Sequence, residues 1–335
     1  MGWTSPERQG WTTLAVVLAG TLALPGSVQA RQVEGSFERS LAVSGGADVE
    51  VQTGSGSIDV RPGSDGRVVI SARIEARDRT LRGLSAEERI RRIEANPPIE
   101  QAGNSIRIGH LADDALREGV SISYTLTVPA TTNLRSRTGS GSQHIEGLTG
   151  RVEAHTGSGG LTLRNLTGAL RASTGSGSIT AATTGSFHAS TGSGSIRATG
   201  VSGPATARTG SGVIDITQTG SGDVEVSSGS GSIRLQGVRG SLRATTGSGG
   251  ITAQGAVSGE WRLSAASGGI SVSLPPGQGF ELDADTSSGR IEMGMPVTVS
   301  GTIGRRALRG SVGGGGPLLH VRTASGGIRI RTGEA

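Results

Sequence analysis

The chain has 335 residues, of which 59 are glycine, roughly 18% against a usual share near 7%. It contains no Cys, its 32 basic residues are all Arg, 27 residues are acidic, and the formal net charge is +5. These counts exclude a disulfide framework, a thiolate metal site and a cysteine nucleophile. They equally exclude a P-loop or lysine Schiff-base chemistry, and the glycine lacks the every-third-residue spacing of collagen.

Arg8 precedes an apolar run from Leu14 to Leu24, Pro25 and Gly26 break it, and Val28 and Ala30 occupy the positions a signal peptidase reads. The spacing predicts a signal peptide over residues 1–30, cleaved after Ala30. The run is shorter than the ~20 apolar residues of a bilayer span, no Cys follows it to carry a lipid anchor, and no later segment is apolar enough to cross a membrane. The expected product is exported to the periplasm, cell surface or medium, without a transmembrane segment. Removing residues 1–30 takes away Arg8 and Glu7 and leaves the charge at +5. That balance favours acidic glycans or envelope polymers as partners. It lacks the clustered basic and interleaved aromatic residues of a nucleic-acid binder.

Residues 31–134 are charged and irregular. Val68–Ile74, Ser105–Ile108 and Val120–Val128 alternate as strands. Between the first two, Ser85 and Glu88 form a capping box, Ile90 and Ile93 share an apolar face, and Asn96-Pro97-Pro98 terminates a helix near 85–95. Glu87–Arg91 and Glu88–Arg92 stand at i,i+4 on a solvated face. This region is expected to cap the open end of the repeat array beyond residue 134, because an uncovered coil invites aggregation.

From residue 138 the sequence repeats. Thr-Gly-Ser-Gly-x-(Ile/Leu/Val) recurs at 156–161, 174–179, 191–196, 209–214, 219–224 and 246–251, with an earlier copy at 53–58. Glycines return every eight to ten residues, most often nine, and an apolar-x-apolar triplet comes after each. Short alternation with glycine corners is the pattern of a parallel β-solenoid. Two halves of about nine residues make a coil of about 18, so residues one coil apart should stack about 4.8 Å from each other. One inner ladder is then Leu161, Ile179, Ile196, Ile214, Ile233, Ile251, Ile270, and the other Val152, Leu170, Phe187, Ala205, Val224, Leu242, Trp261. The outward positions place Arg197, Asp215 and Arg234 in one row, and Glu153, Arg171, His188, Thr206, Glu225, Arg243 and Arg262 in another. Arg197–Asp215–Arg234 and Glu225–Arg243 become cross-strand charge pairs. From Pro275 through Gly316 the beat is lost, and Ile328/Ile330 read as the closing strand. The expected organisation is a signal peptide (1–30), a β-rich cap with one helix (31–134), a regular solenoid (135–274) and an irregular closure (275–335).

The export signal, the strand ending Leu126-Thr-Val-Pro129, the Thr138-Gly-Ser-Gly after it and the tandem Thr-Gly-Ser-Gly-x-Ile motifs together resemble the DUF4097 β-strand-repeat family of candidate adhesins, related to GIN-domain auto-transporter adhesin heads. The likeness covers roughly residues 45–332. It implies an all-β, single-stranded β-helix outside the cytoplasm, some of whose relatives accompany envelope-stress systems, and it brings no catalytic residues. Many relatives carry Asp after Gly-Ser-Gly. Here that position is mostly Ser or Gly, with Asp223 an exception.

Other chemistries find little support. A calcium roll needs a ladder of Asp, and Asp215 and Asp223 are isolated. Glycoside hydrolysis needs two carboxylates at a set separation, whereas the registers put Asp215 and Glu225 on opposite faces. His110, His144, His155, His188 and His320 have no metal-ligand spacing. No cofactor is implied. The expectation is a non-catalytic adhesin or envelope-binding protein that displays Thr, Ser and Arg in long ladders, with Arg171, Arg243, Arg262 and His188 as the contact residues. The alternatives are a carbohydrate-active β-helix enzyme and an envelope-stress accessory bound to a membrane-protein partner.

Overall fold

The computed structural model describes residues 32–78, 83–299 and 304–333. The signal peptide expected over 1–30 lies outside the described residues.

The apolar-x-apolar triplets form short parallel strands that point both apolar side chains inward. Their registers are the ones the glycine beat predicts. Leu161 pairs with Ile179, and the ladder continues through Ile196, Ile214, Ile233, Ile251 and Ile270. Val152 pairs with Leu170, then Phe187, Ala205, Val224, Leu242 and Trp261. All fourteen side chains are buried. A coil therefore contributes one strand to a Val152 sheet and one to a Leu161 sheet, with a narrow apolar interior between. Each inner aliphatic fully withdrawn from water contributes about 1.5–3 kcal/mol. Bulky Phe187 is followed by small Ala205 in the same ladder, which keeps the interior filled without overlap. Trp261 satisfies its indole N–H on the Gly240 carbonyl at 3.0 Å.

The Thr-Gly-Ser-Gly corner holds the two sheets together. Thr156, Thr174, Thr191, Thr209 and Thr246 continue the inward alternation one step past the triplet, and they too are buried. The hydroxyls of Thr156, Thr174, Thr191 and Thr209 each bond two coils at once, while among the described residues Thr246 makes only the donation, to the Gly231 carbonyl one coil back at 2.9 Å. Thr209 Oγ1 donates to the Gly194 carbonyl one coil back at 2.9 Å and accepts from its own coil's Gly212 N–H at 3.0 Å. Ser228 makes the same pair of bonds to Gly212 and Gly231. Ala265 takes this position in one coil, and there the Gly268 N–H goes to the Ser325 carbonyl instead. The second glycine of each motif has no alternative, because a Cβ on Gly194 or Gly212 would overlap the carbonyl oxygen of Gly177 or Gly194 in the coil beneath.

The coil stack extends beyond the dense repeats at both ends. Asp48–Thr53 lies in register on Asn133–Thr138, and Ile58–Pro62 on Gln143–Glu146. On their other side they are covered by Ser105–Ile108 and Val120–Val128, parallel to them. Antiparallel strands then finish this end: Ile99–Ala102 on Ser105–Ile108, Arg67–Arg77 on Val120–Val128, and Gln32–Ala42 on Arg67–Arg77. The helix Ala86–Ala95, capped by the Ser85 side chain on the Glu88 N–H, buries Ala86, Ile90 and Ile93. The far end is built on the same plan. Leu318–Ser325 and Ile328–Thr332 do not close the stack. They lie between the coil of Trp261 and Ile270 and that of Phe280–Thr286 and Ile291–Met293, and Ala307–Val312 runs antiparallel on the outside of Phe280–Thr286. Ile328 is thus in the last strand along the chain but the second-last in space.

Candidate binding face

The outward residues of the Val152 sheet fall into one continuous row. From the N-terminal end it reads Arg107, Glu50, Arg135, Glu153, Arg171. His188 and Thr206 come next at the centre, then Glu225, Arg243 and Arg262. His320, Asp283 and Arg309 complete it. Short strands with tight glycine corners leave these side chains no direction but outward, so a sequence distance of roughly 200 residues collapses into neighbouring rungs spaced about 4.8 Å apart. The four residues singled out from sequence, Arg171, His188, Arg243 and Arg262, all lie in this row. Arg171 is adjacent to His188, and Arg243 to Arg262, with two rungs, Thr206 and Glu225, between the pairs.

The expected charge pairs form in part. Arg197 meets Asp215 at 3.5 Å on the Leu161 sheet. Glu225 stands opposite Arg243, yet its carboxylate goes diagonally to Arg208 at 2.7 Å. Arg262 takes Glu260 from its own strand at 2.7 Å, and Glu153 takes Arg135 at 3.5 Å. Neither Arg171 nor Arg243 closes an ion pair among the described residues. Around His188 the surroundings are cationic. Burial, then the Arg171 and Arg208 guanidinium groups, hold its imidazole below the ordinary pKa of 6.5, against an opposing pull from Glu225. Two shallow grooves indent the face. One of about 310 Å³ is bordered by Thr206, Glu225, Arg243, Glu260 and Arg262. Another of about 400 Å³ lies over Glu50, Arg107, Arg135 and Glu153.

One cluster has no counterpart in the sequence reading. Asp283 accepts from Arg309 Nε at 3.0 Å and lies 3.1 Å from His320 Nδ1. Burial alone would raise this carboxyl, but Arg309 and then His320 more than offset it, and its pKa lies below the ordinary carboxylate value. His320 reaches Asp283 through the insertion of Leu318–Ser325 beside Phe280–Thr286, and Arg309 reaches it from Ala307–Val312, antiparallel on the other side of the same strand. Asp215 and Glu225 occupy opposite sheets and cannot flank one glycosidic bond. Among the described residues no three His, Asp or Glu side chains converge as a metal would require, and no helix is long and apolar enough to cross a membrane.

The motif stack that carries this row is also what comparison with known proteins detects. The family profile described as Toastrack DUF4097 matches residues 164–331, half of the chain. The chain belongs to the DUF4097 family. Three solved structures are similar to this DUF4097 chain. They are a proposed cell adhesion protein from Clostridium sporogenes ATCC 15579 (10% identity, 89% of this chain and 100% of that one covered, TM-score 0.21), a proposed adhesin from Bacteroides fragilis NCTC 9343 (12%, 88% and 97%, 0.24) and a proposed lipid-binding protein from Parabacteroides distasonis ATCC 8503 (11%, 88% and 96%, 0.32). Likenesses this distant carry no functional argument. No curated protein matches the DUF4097 chain in sequence.

Proposed function

We propose that this DUF4097 protein is an exported, non-catalytic binding protein that holds acidic glycans or envelope polymers on its Val152 sheet. The observation that carries the reading is the spacing of cationic groups along one row. Arg171, with Arg208 near it and the His188 imidazole beside them as a polar contact, forms one node; Arg243 and Arg262 form a second. A single node is weak, since Glu225 and Glu260 compensate part of its charge and exposed ion pairs contribute at most about 1 kcal/mol. Two nodes on a rigid frame suit a ligand whose negative charge also repeats, because the second contact becomes intramolecular once the first has formed.

The test is retention of the purified protein on an immobilised acidic polysaccharide. Retention should fall as salt rises, and Arg171→Ala/Arg243→Ala/Arg262→Ala should weaken it roughly tenfold or more through lost charge complementarity. Retention on a neutral polysaccharide, or retention unchanged in the triple variant, would overturn the reading. Depolymerisation of the polymer during the assay would move the protein to the enzyme class.

A further inference from the structure

The charges of the Val152 row are self-complementary when the row is turned end for end. We infer that this face docks against the same face of a second copy, with the two coil stacks antiparallel and the two-fold axis lying in the interface, parallel to the strands, between His188 and Thr206. In that register Glu153 of one copy faces Arg243 of the other, Arg171 faces Glu225, Arg107 faces Asp283, and Glu50 faces His320. Each contact occurs twice, as an isologous interface requires. The one like-charge meeting is Arg135 with Arg262; Arg262 holds Glu260 of its own strand at 2.7 Å, and Glu153 lies between Arg135 of its own chain, at 3.5 Å, and Arg243 of the other.

The register is selective. A parallel arrangement sets every charge against its own copy. Sliding the antiparallel pair by one coil brings Arg135 onto Arg243 and Glu153 onto Glu225. Sliding it the other way brings Arg171 onto Arg243 and Glu50 onto Asp283. Like-charge juxtaposition of this kind disfavours the slipped registers and so fixes the alignment. The area also suffices. A row roughly 58 Å long on strands about 17 Å wide covers about 1,000 Å² per copy, and specific interfaces bury about 1,200–2,000 Å² in total. The contact is polar and wet, so the dimer is salt-labile. An acidic polymer occupying Arg171 and Arg243 excludes it.

Sedimentation velocity of the purified protein tests this. Raising salt from about 50 mM to about 500 mM should shift the equilibrium at least tenfold toward monomer, since screening shortens from about 14 Å to about 4 Å. Glu153→Arg and Arg243→Glu should each weaken association about tenfold or more, and the double variant should recover most of the loss. These two side chains lie five rungs apart in one chain, so rescue requires a second copy. Glu153→Arg should leave retention on the acidic polysaccharide intact or stronger, which separates failure of the dimer from failure of the polymer reading. A monomer under all conditions, a dimer indifferent to salt, or a double variant no better than either single one would overturn the inference.

Discussion

Thr209 joins two coils through one oxygen, donating to Gly194 and accepting from Gly212 inside a buried corner. Thr209→Val keeps the shape and removes both bonds, leaving a carbonyl and an N–H without partners. The expected loss is about 1–3 kcal/mol, read from a denaturant midpoint, whereas Thr209→Ser should stay close to the parent because Ser228 already makes the same two bonds. The signal for this role is present in the sequence. The inward alternation Val152, Ala154 arrives next at Thr156, but the glycines around it draw the eye to the turn rather than to the hydroxyl. His188 gives a second outcome at this scale. Its imidazole should titrate below 6.5 by NMR, and Arg171→Ala should raise the midpoint. With its folded pKa depressed, His188 binds protons more readily unfolded, so its small contribution to stability is present above pH 6.5 and is lost as the pH falls through the folded pKa.

The ladders of the solenoid were legible because stacking repeats one local rule, and a residue about 18 positions on meets the same neighbours. Phe187 sits at the middle of one ladder with Leu170 before it and Ala205 after it. Phe187→Ala places two small residues in succession there, and the expected cost is about 3–5 kcal/mol, measured by denaturant unfolding. The helix Ala86–Ala95 was equally readable, since its Ser85 cap and the Glu88–Arg92 pair at 2.9 Å are set locally. Partner choice among outward charges was less readable. The register fixes that Glu225 lies beside Arg243 but not which guanidinium reaches it, and the longer diagonal reach from Arg208 wins. The edge strand Gln32–Ala42 shows a different device. Glu94 takes the Ser36 N–H at 2.9 Å, Arg39 donates to the Glu38 carbonyl at 2.9 Å, and Gln101 Nε2 donates to the Ala42 carbonyl at 2.8 Å. These side chains occupy groups that another strand would otherwise pair with. Glu94→Ala/Gln101→Ala should therefore increase aggregation, monitored by light scattering, with little change in circular dichroism.

At the scale of the whole molecule, the glycine beat reports how often the chain turns but not where each turn is filed. That is why the order of the end coils escaped the sequence. Residues 48–62 are held between strands from 105–128 and 133–146, and residues 318–332 between 251–274 and 280–293. Removing residues 317–333 should open a gap beside Trp261 and Ile270, seen as faster hydrogen exchange across 251–274. Deleting residues 196–213, one coil from Ile196 to the residue before Ile214 in the same ladder, should preserve the β circular dichroism and lower the melting temperature only modestly.

Both ends are interlocked, each with one coil inserted between its neighbours. A duplication that appends another turn outside them would find antiparallel strands and a helix in place of a matching rung. Copies of the repeat can enter or leave only in the interior, so the array is free to change length at its waist while the two fastenings stay as they are.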